Sequence, residues 1–114
     1  MHEASLAGGV LQLIEQAAVR ERFARVTHLR LEAGRLAGVE PRALRFALEA
    51  LAPGTLIEGV CIDIEEPPGE AWCMDCSCTV QIAQRGDACA HCGGYRLQPT
   101  GGTELRVIDM QVED

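Results

Sequence analysis

Four cysteines form two pairs whose spacing suits a metal ion. Cys73 and Cys76 make one C-x-x-C motif, Cys89 and Cys92 make a second, and twelve residues separate the motifs. Each motif fits a tight turn that aims both sulfurs at one point, and two such turns make a tetrahedral four-sulfur site of the kind that structural zinc prefers. Four thiolates leave no open coordination position, so the pattern predicts an architectural Zn²⁺.

The same cysteines have other interpretations. They could form two disulfides, remain four unrelated buried thiols, or act as a redox C-x-x-C pair, which would label rapidly with thiol reagents. Six cysteines without a secretion signal favour a reducing, cytoplasmic location. The segment between the motifs, residues 77–88, is long enough for a short hairpin of its own.

A second set of candidate metal ligands lies at the opening Met1-His2-Glu3. The amine of Met1, the amide nitrogen and imidazole of His2, and the amide of Glu3 can surround one cation in a plane. Four planar nitrogens favour Ni(II) or Cu(II) over Zn(II), and such a site weakens as pH falls because its ligands must lose protons. On the tripeptide alone, a solvated tail histidine is the competing interpretation.

Composition excludes several classes of function. The net charge is −7 and every basic residue is arginine, which argues against nucleic-acid binding. No apolar stretch approaches 18 residues, so no membrane span is expected. No catalytic triad is evident, and Gly8-Gly9 and Gly93-Gly94 lack the lysine of a phosphate-binding loop. We therefore expect a protein that is not an enzyme.

Hydrophobic periodicity predicts the elements that position these residues. Residues 4–23 read as an amphipathic helix, in which Gly8-Gly9 marks either close approach of another backbone or a kink. A second helix begins near Pro41, with Leu44, Leu48 and Leu51 as its buried stripe. Strands are predicted at 25–36, at 56–66 with a bulge at Gly59, and at 103–112 with a change of register near Ile108.

The predicted fold class is α+β. Two helices pack on a small three-stranded mixed sheet, into which a zinc-ribbon-like module is inserted. Pro67-Pro68-Gly69 is the clearest boundary, because paired prolines stiffen the chain before a glycine that lets it turn. The predicted division is an α/β domain at 1–67 and 102–114 and a zinc-binding domain at 68–101.

Beyond these local patterns, the chain resembles the HypA/HybF family of hydrogenase maturation nickel chaperones over nearly its whole length. The resemblance rests on several motifs in the right order. They are Met1-His2-Glu3 with Ser5-Leu6-Ala7, Leu36-Ala37-Gly38-Val39-Glu40-Pro41 with Ala43-Leu44-Arg45-Phe46, Pro67-Pro68-Gly69, Trp72-Cys73-Met74-Asp75-Cys76, Cys89-Ala90-His91-Cys92-Gly93 and Thr100-Gly101-Gly102.

The resemblance implies a cytoplasmic carrier in which the α/β domain at 1–67 and 102–114 is the nickel-binding domain. This domain takes Ni²⁺ as transient cargo through Met1, His2 and Glu3, and the other domain keeps Zn²⁺ for structure. It implies two partners, a HypB-like GTPase and the [NiFe]-hydrogenase large subunit, and it leaves a homodimer and service to urease open. The competing hypothesis is a zinc-ribbon adaptor that binds protein without transferring nickel.

Five residues fit these patterns less closely. Cys78 is interpreted as a spare thiol, since a C-x-C spacing with Cys76 makes a poorer turn, and Cys61 as a small packing residue. His91 is a loop residue that either faces solvent or senses the zinc site. His28 is assigned no role, and Trp72 is predicted to pack the zinc module against the body.

Overall fold

The computed structural model describes residues 2–114 and contains two helices and six strands. The strands form two separate three-stranded sheets with the orders β2-β1-β6 and β4-β3-β5. The elements are α1 (His2–Glu21), β1 (Arg25–Ala33), α2 (Pro41–Leu51), β2 (Cys61–Glu65), β3 (Gly69–Cys73), β4 (Cys78–Ile82), β5 (Leu97–Gly101) and β6 (Leu105–Glu113).

The chain divides into two compact units. The first, called the helical unit here, comprises residues up to 31, 40–64 and 107–114, and the second, the cysteine unit, comprises 32–39 and 65–106. This α+β architecture confirms the predicted fold class. The assignment of one domain to nickel and one to zinc, with its predicted boundaries, stays a prediction.

The helical unit is built around aliphatic side chains from both helices and the sheet. Helix α1 buries one side chain per turn, and α2 begins with Pro41 after Glu40, whose carboxylate accepts a hydrogen bond from Ala43 N at 2.8 Å and so caps the helix. The largest fully buried side chains of this unit are Ile14, Val26, Leu29, Leu31, Leu44, Leu48 and Ile57.

Three details of the helical unit differ from the sequence predictions. Leu51 is 40% exposed because it lies at the end of α2, beyond the turn that packs inward. Nothing approaches within 4 Å of a Cβ added at Gly8 or Gly9, so these glycines serve no close backbone contact. Strand β2 begins only at Cys61, which leaves Gly59, with a φ of 74°, in the preceding turn.

The cysteine unit centres on a hairpin whose position the sequence prediction missed. Strands β3 and β4 pair antiparallel from Gly69 opposite Ile82 to Cys73 opposite Cys78, so the first C-x-x-C motif lies in the turn of the hairpin. The expected hairpin within 77–88 contributes only one strand. Strand β5 pairs antiparallel with the other edge of β3.

Two glycines of this unit lie where backbone segments approach each other closely. A Cβ at Gly34 would lie 2.2 Å from the carbonyl oxygen of Gly102, which is too close for any side chain at position 34. Gly102 itself has a φ of 70° and faces the carbonyl oxygen of Pro68. The Gly101-Gly102 return predicted from the sequence therefore needs glycine for both backbone conformation and close approach.

Candidate metal centre

The four cysteines of the two C-x-x-C motifs converge on one point. The sulfurs of Cys73, Cys76, Cys89 and Cys92 all lie within 4.8 Å of one another. Two sulfur–sulfur distances, Cys73 to Cys92 and Cys76 to Cys89, are 3.8 Å each. A tetrahedron with metal–sulfur bonds of about 2.3 Å has edges of about 3.8 Å, so these two edges have the spacing of a tetrahedral metal site.

The two turns that present the sulfurs have the same backbone geometry. In each, the residue after the second cysteine donates its N–H to the carbonyl of the first, Ser77 to Cys73 and Gly93 to Cys89, both at 2.8 Å. Both donors have positive φ, 55° for Ser77 and 73° for Gly93. Ser77 thus adopts a left-handed backbone conformation that is unfavourable for a residue with a side chain. The equivalent residue of the second turn is Gly93, which adopts it without steric cost.

Backbone amides direct their hydrogens at the sulfurs. Cys76 N donates to Cys73 Sγ and His91 N donates to Cys89 Sγ, each at 3.4 Å. Amide hydrogen bonds from Cys92 and His91 stabilise the thiolate and lower the pKa of Cys89 to about 6. By contrast, the hydrogen bond with Cys92 and burial raise the pKa of Cys76. The thiolate of Cys89, beside the other sulfurs, attracts a cation. Four thiolates this close need a cation to coexist.

Burial of the site is uneven. Cys73 and Cys89 are buried, Cys76 is partly buried and Cys92 is exposed. The cluster is therefore anchored in the core of the cysteine unit on one side and reaches its surface on the other. Arg96 forms an ion pair of 3.0 Å with Asp75 inside the first motif, which ties that turn to the start of β5.

The remaining cysteines and His91 stand outside the group of four. Cys78 is half-buried opposite Cys73 in the hairpin and packs against the core cluster, in keeping with a spare thiol. Cys61 is exposed in β2 and is not the packing residue we expected. The side chain of His91 is exposed, and only its backbone contacts a ligand sulfur.

Two of the predicted nickel ligands, His2 and Glu3, lie in the first turn of α1. Met1 lies outside the described residues. His2 is the first residue of α1 and its side chain is exposed. The amides of the first helical turn have no intrahelical acceptor, so those of His2 and Glu3 are not committed to the helix.

The Glu3 side chain has a role that the sequence prediction missed. Its Oε2 accepts a hydrogen bond of 3.1 Å from the backbone N–H of Glu40, the residue that caps α2. This bond lowers the pKa of the Glu3 carboxyl and fixes the start of one helix to the start of the other. The sequence signal for this contact is Glu40 directly before Pro41, the first residue of α2.

Comparison with known proteins places the chain in a family. The sequence profile described as "HypA: Hydrogenase/urease nickel incorporation, metallochaperone, hypA" matches residues 1–112. The chain is 72% identical over 114 residues to hydrogenase maturation factor HypA of Cupriavidus necator, covering 100% of this chain and 96% of that protein. It is 52% identical over 113 residues to the HypA of Azotobacter chroococcum, covering 99% of this chain and 100% of the relative.

Solved structures show the same fold at much lower identity. The solution structure of the Ni metallochaperone HypA from Helicobacter pylori aligns with a TM-score of 0.71 and 20% identity, covering 97% of each chain. No helix in residues 2–114 is both long and apolar enough to span a bilayer. The matches over the full length, together with the four-cysteine metal site, show that this chain belongs to the HypA family of hydrogenase maturation metallochaperones.

Proposed function

We propose that the protein binds one Ni²⁺ ion at its N-terminus and delivers it during [NiFe]-hydrogenase maturation, while its four cysteines hold a structural Zn²⁺. The observation that carries this proposal is the closed geometry of the sulfur site. Four sulfurs within 4.8 Å of one another complete the coordination of a single tetrahedral ion. An ion that is bound only transiently therefore needs a different site.

The start of α1 supplies that site. The imidazole of His2 is exposed. The first-turn amide nitrogens can release their protons to solvent and bind a metal ion without breaking helical hydrogen bonds. The Glu3 carboxylate is held by Glu40 N, which supports a role for Glu3 through its amide rather than its side chain. The fourth nitrogen is the α-amine of Met1.

Two features of this site favour release. The positive end of the α1 dipole repels a bound cation. This repulsion is offset only while the ligand nitrogens are deprotonated. The ligands also lie at the surface, where a docking partner can reach them. We infer that a HypB-like GTPase and the hydrogenase large subunit are these partners, that transfer occurs in the cytoplasm, and that the protein catalyses no reaction itself.

Titration with Ni²⁺ tests the proposal. Tag-free, zinc-loaded protein is titrated by calorimetry beside His2→Ala and beside His28→Ala, whose imidazole is also exposed but lies in β1. We expect a stoichiometry of about one, lost in His2→Ala and kept in His28→Ala, with affinity that falls as pH drops because protons compete for the nitrogens. Nickel binding that survives removal of the His2 imidazole would refute the assignment.

A second candidate function is a protein-binding adaptor that transfers no nickel. It is favoured by three large side chains exposed on the cysteine unit, Trp72 at 43%, Met74 at 53% and Tyr95 at 74%. Exposed aromatic and methionine side chains are enriched in protein interfaces. The same titration separates the candidates, because the adaptor predicts no stoichiometric Ni²⁺ binding by wild-type protein.

A further inference from the structure

One cysteine of the cysteine unit is not used by the metal centre. Of the six cysteines in the chain, four form the group whose sulfurs lie within 4.8 Å of one another, and Cys61 lies in the helical unit. Cys78 is the remaining one. It is partly buried and packs against the core cluster that contains Cys73 and Cys89. The fold thus places a fifth thiol beside the four that converge.

Strand pairing fixes the position of Cys78 relative to Cys73. The two residues lie directly opposite one another at the end of the β3–β4 hairpin. Ser77 N donates to Cys73 O at 2.8 Å, which closes the turn between them. Cys73 continues the buried face of β3 that carries Ala71, and Cys78 continues the face of β4 that carries buried Val80. Both cysteine side chains therefore leave the sheet on the same side.

This arrangement meets the backbone requirement of a disulfide. Directly opposite residues of an antiparallel pair have Cα atoms about 4.5–5.5 Å apart, and Cα atoms joined by a disulfide are usually about 4.4–6.8 Å apart. The bond therefore needs rotation of the two side chains and no shift of the strands. Among the other ligand cysteines, Cys76 lies in the turn itself, and Cys89 and Cys92 lie outside this pair of strands, so none is held opposite Cys78.

Cys78 is also the thiol of this unit that an oxidant reaches first. In the proposed zinc-bound protein, the other four sulfurs of the unit are committed to the metal. Cys78 keeps a free thiol that is partly exposed, and the oxidation of cysteine depends on access. Redox-sensing cysteines typically lie next to a second cysteine that reacts with the first oxidation product. Cys73 has that position relative to Cys78.

We propose that Cys78 is a redox-sensing thiol, and that hydrogen peroxide converts it into a disulfide with Cys73 and so removes one ligand from the zinc site. The peroxide first oxidises the Cys78 thiol to a sulfenic acid and is itself reduced to one water. The Cys73 sulfur then attacks the sulfenic sulfur, the S–S bond forms and the S–O bond breaks. The leaving hydroxide takes a proton from solvent and becomes the second water. Two sulfurs are oxidised by one electron each, and one peroxide is reduced by two.

The disulfide releases the metal and loosens the cysteine unit. Three ligand sulfurs remain, of which Cys92 is exposed and open to competing water. The large aliphatic side chains in the core of this unit are only Leu36, Val80 and Ile82, so the unit loses an important part of its stabilisation with the metal. A thiol reductant restores Cys73, which makes the response reversible. This inference rests on the zinc site of the proposed function and is independent of nickel.

Zinc release under peroxide tests the proposal. The full chain is purified under reducing conditions, and its zinc content is measured before hydrogen peroxide is added in small molar excess. Released Zn²⁺ is followed with a chromogenic chelator. Wild-type protein should release zinc at least about tenfold faster than Cys78→Ser, because that variant has no free thiol beside the site. Cys61→Ser, which removes the exposed thiol of the helical unit, is the matched control and should release zinc at the wild-type rate.

Mass spectrometry of the oxidised wild-type protein locates the bond without any variant. Cleavage before aspartate separates residues 63–74, which contain Cys73, from residues 75–86, which contain Cys76 and Cys78. We expect one disulfide to join these two peptides at early times, with Cys76 left open to alkylation. Added reductant should separate the peptides and restore zinc binding.

Either measurement can overturn the proposal. Equal rates of zinc release from wild type and Cys78→Ser would show that peroxide attacks the ligand sulfurs directly. An early disulfide between Cys73 and Cys76, or one that links residues 87–108, would refute the assigned pair. If Cys78→Ser binds no zinc before oxidation, Cys78→Ala takes its place, and the mapped disulfide of wild-type protein still decides. Wild-type protein that binds no Zn²⁺ before oxidation would refute the zinc site itself, and with it this inference.

Discussion

The helical unit and the cysteine unit are stabilised by different means. The helical unit buries large aliphatic side chains such as Ile14, Leu31 and Leu48, contributed by helices and strands far apart in sequence. The core cluster of the cysteine unit has six buried residues, of which one is alanine and two are metal-site cysteines. These six are Leu36, Ala71, Cys73, Val80, Ile82 and Cys89.

This difference shows what metal ligands replace in a small fold. Burying a large aliphatic side chain contributes about 1.5–3 kcal/mol, and a core with three such residues cannot offset the entropy lost by some fifty ordered residues. In the proposed zinc-bound protein, metal–sulfur bonds formed only in the folded state supply the deficit. The helical unit, with its larger set of buried aliphatic side chains, needs no such ligand.

The largest predicted effect comes from removing a metal ligand of the cysteine unit. Cys89→Ser removes a buried sulfur of the metal site, and we expect loss of most of the metal binding energy, about 10 kcal/mol or more. Amide signals of 65–106 should collapse in NMR spectra while the helical signals of α1 and α2 persist. Cys61→Ser, at an exposed thiol outside the site, is the matched control and should keep metal and spectrum. Dispersed signals throughout Cys89→Ser would show that packing alone maintains the unit.

A core truncation should produce the reverse pattern. Leu48 is 0% exposed in α2, so Leu48→Ala removes buried apolar surface and should lower the free energy of unfolding of the helical unit by about 3 kcal/mol. Zinc content should stay at one per chain. Urea denaturation followed at 222 nm measures the change, and Leu13→Ala, at a helical side chain 60% exposed, should shift the midpoint far less. Equal effects of the two variants would contradict the assigned core.

Much of this contrast was predictable from local sequence. Helical periodicity correctly predicts burial of Val10, Ile14 and Ala17 in α1 and of Leu44 and Leu48 in α2, since a helix must bury one face. It also predicts burial of Leu13, which is 60% exposed. The convergence of the four cysteines follows from their spacing, because two such turns have few other ways to satisfy one metal. The family resemblance, confirmed by the profile match, added the expectation of nickel.

Long-range contacts were not predictable in the same way. The partner of β4 is β3, across the first C-x-x-C turn, because strand pairing depends on which apolar faces meet rather than on loop length alone. The bond from Glu40 N to Glu3 joins residues 37 positions apart, and no periodicity encodes it. The change of register expected near Ile108 in the last strand does agree with burial, since the neighbouring residues Val107 and Ile108 are both partly buried.

A smaller effect sharpens the comparison between the two cysteine turns. Ser77→Gly should relieve the left-handed strain that Gly93 avoids at the equivalent position, stabilising the metal-bound unit by about 1 kcal/mol. Chelator competition should then show zinc affinity about fivefold tighter, since binding and folding of this unit are coupled. Gly93→Ala is the reciprocal variant and should weaken affinity. Weaker zinc binding by Ser77→Gly would mean that the serine side chain contributes more than its backbone costs.

The smallest effect concerns the helical unit at acid pH. The hydrogen bond from Glu40 N lowers the pKa of the Glu3 carboxyl below its unfolded value, so the bond stabilises the fold fully above that unfolded value. The contribution is lost as pH falls through the lower folded pKa, because the protonated carboxyl is a poorer acceptor. Glu3→Gln keeps an acceptor oxygen without the charge. Its melting temperature should therefore lie slightly below wild type at pH 6, and the difference should close as pH falls through the folded pKa of Glu3. Glu15→Gln, at an exposed residue on the same helix, should show no such convergence. A constant gap for Glu3→Gln across this range would mean that the carboxylate stabilises α1 by shape and not by charge.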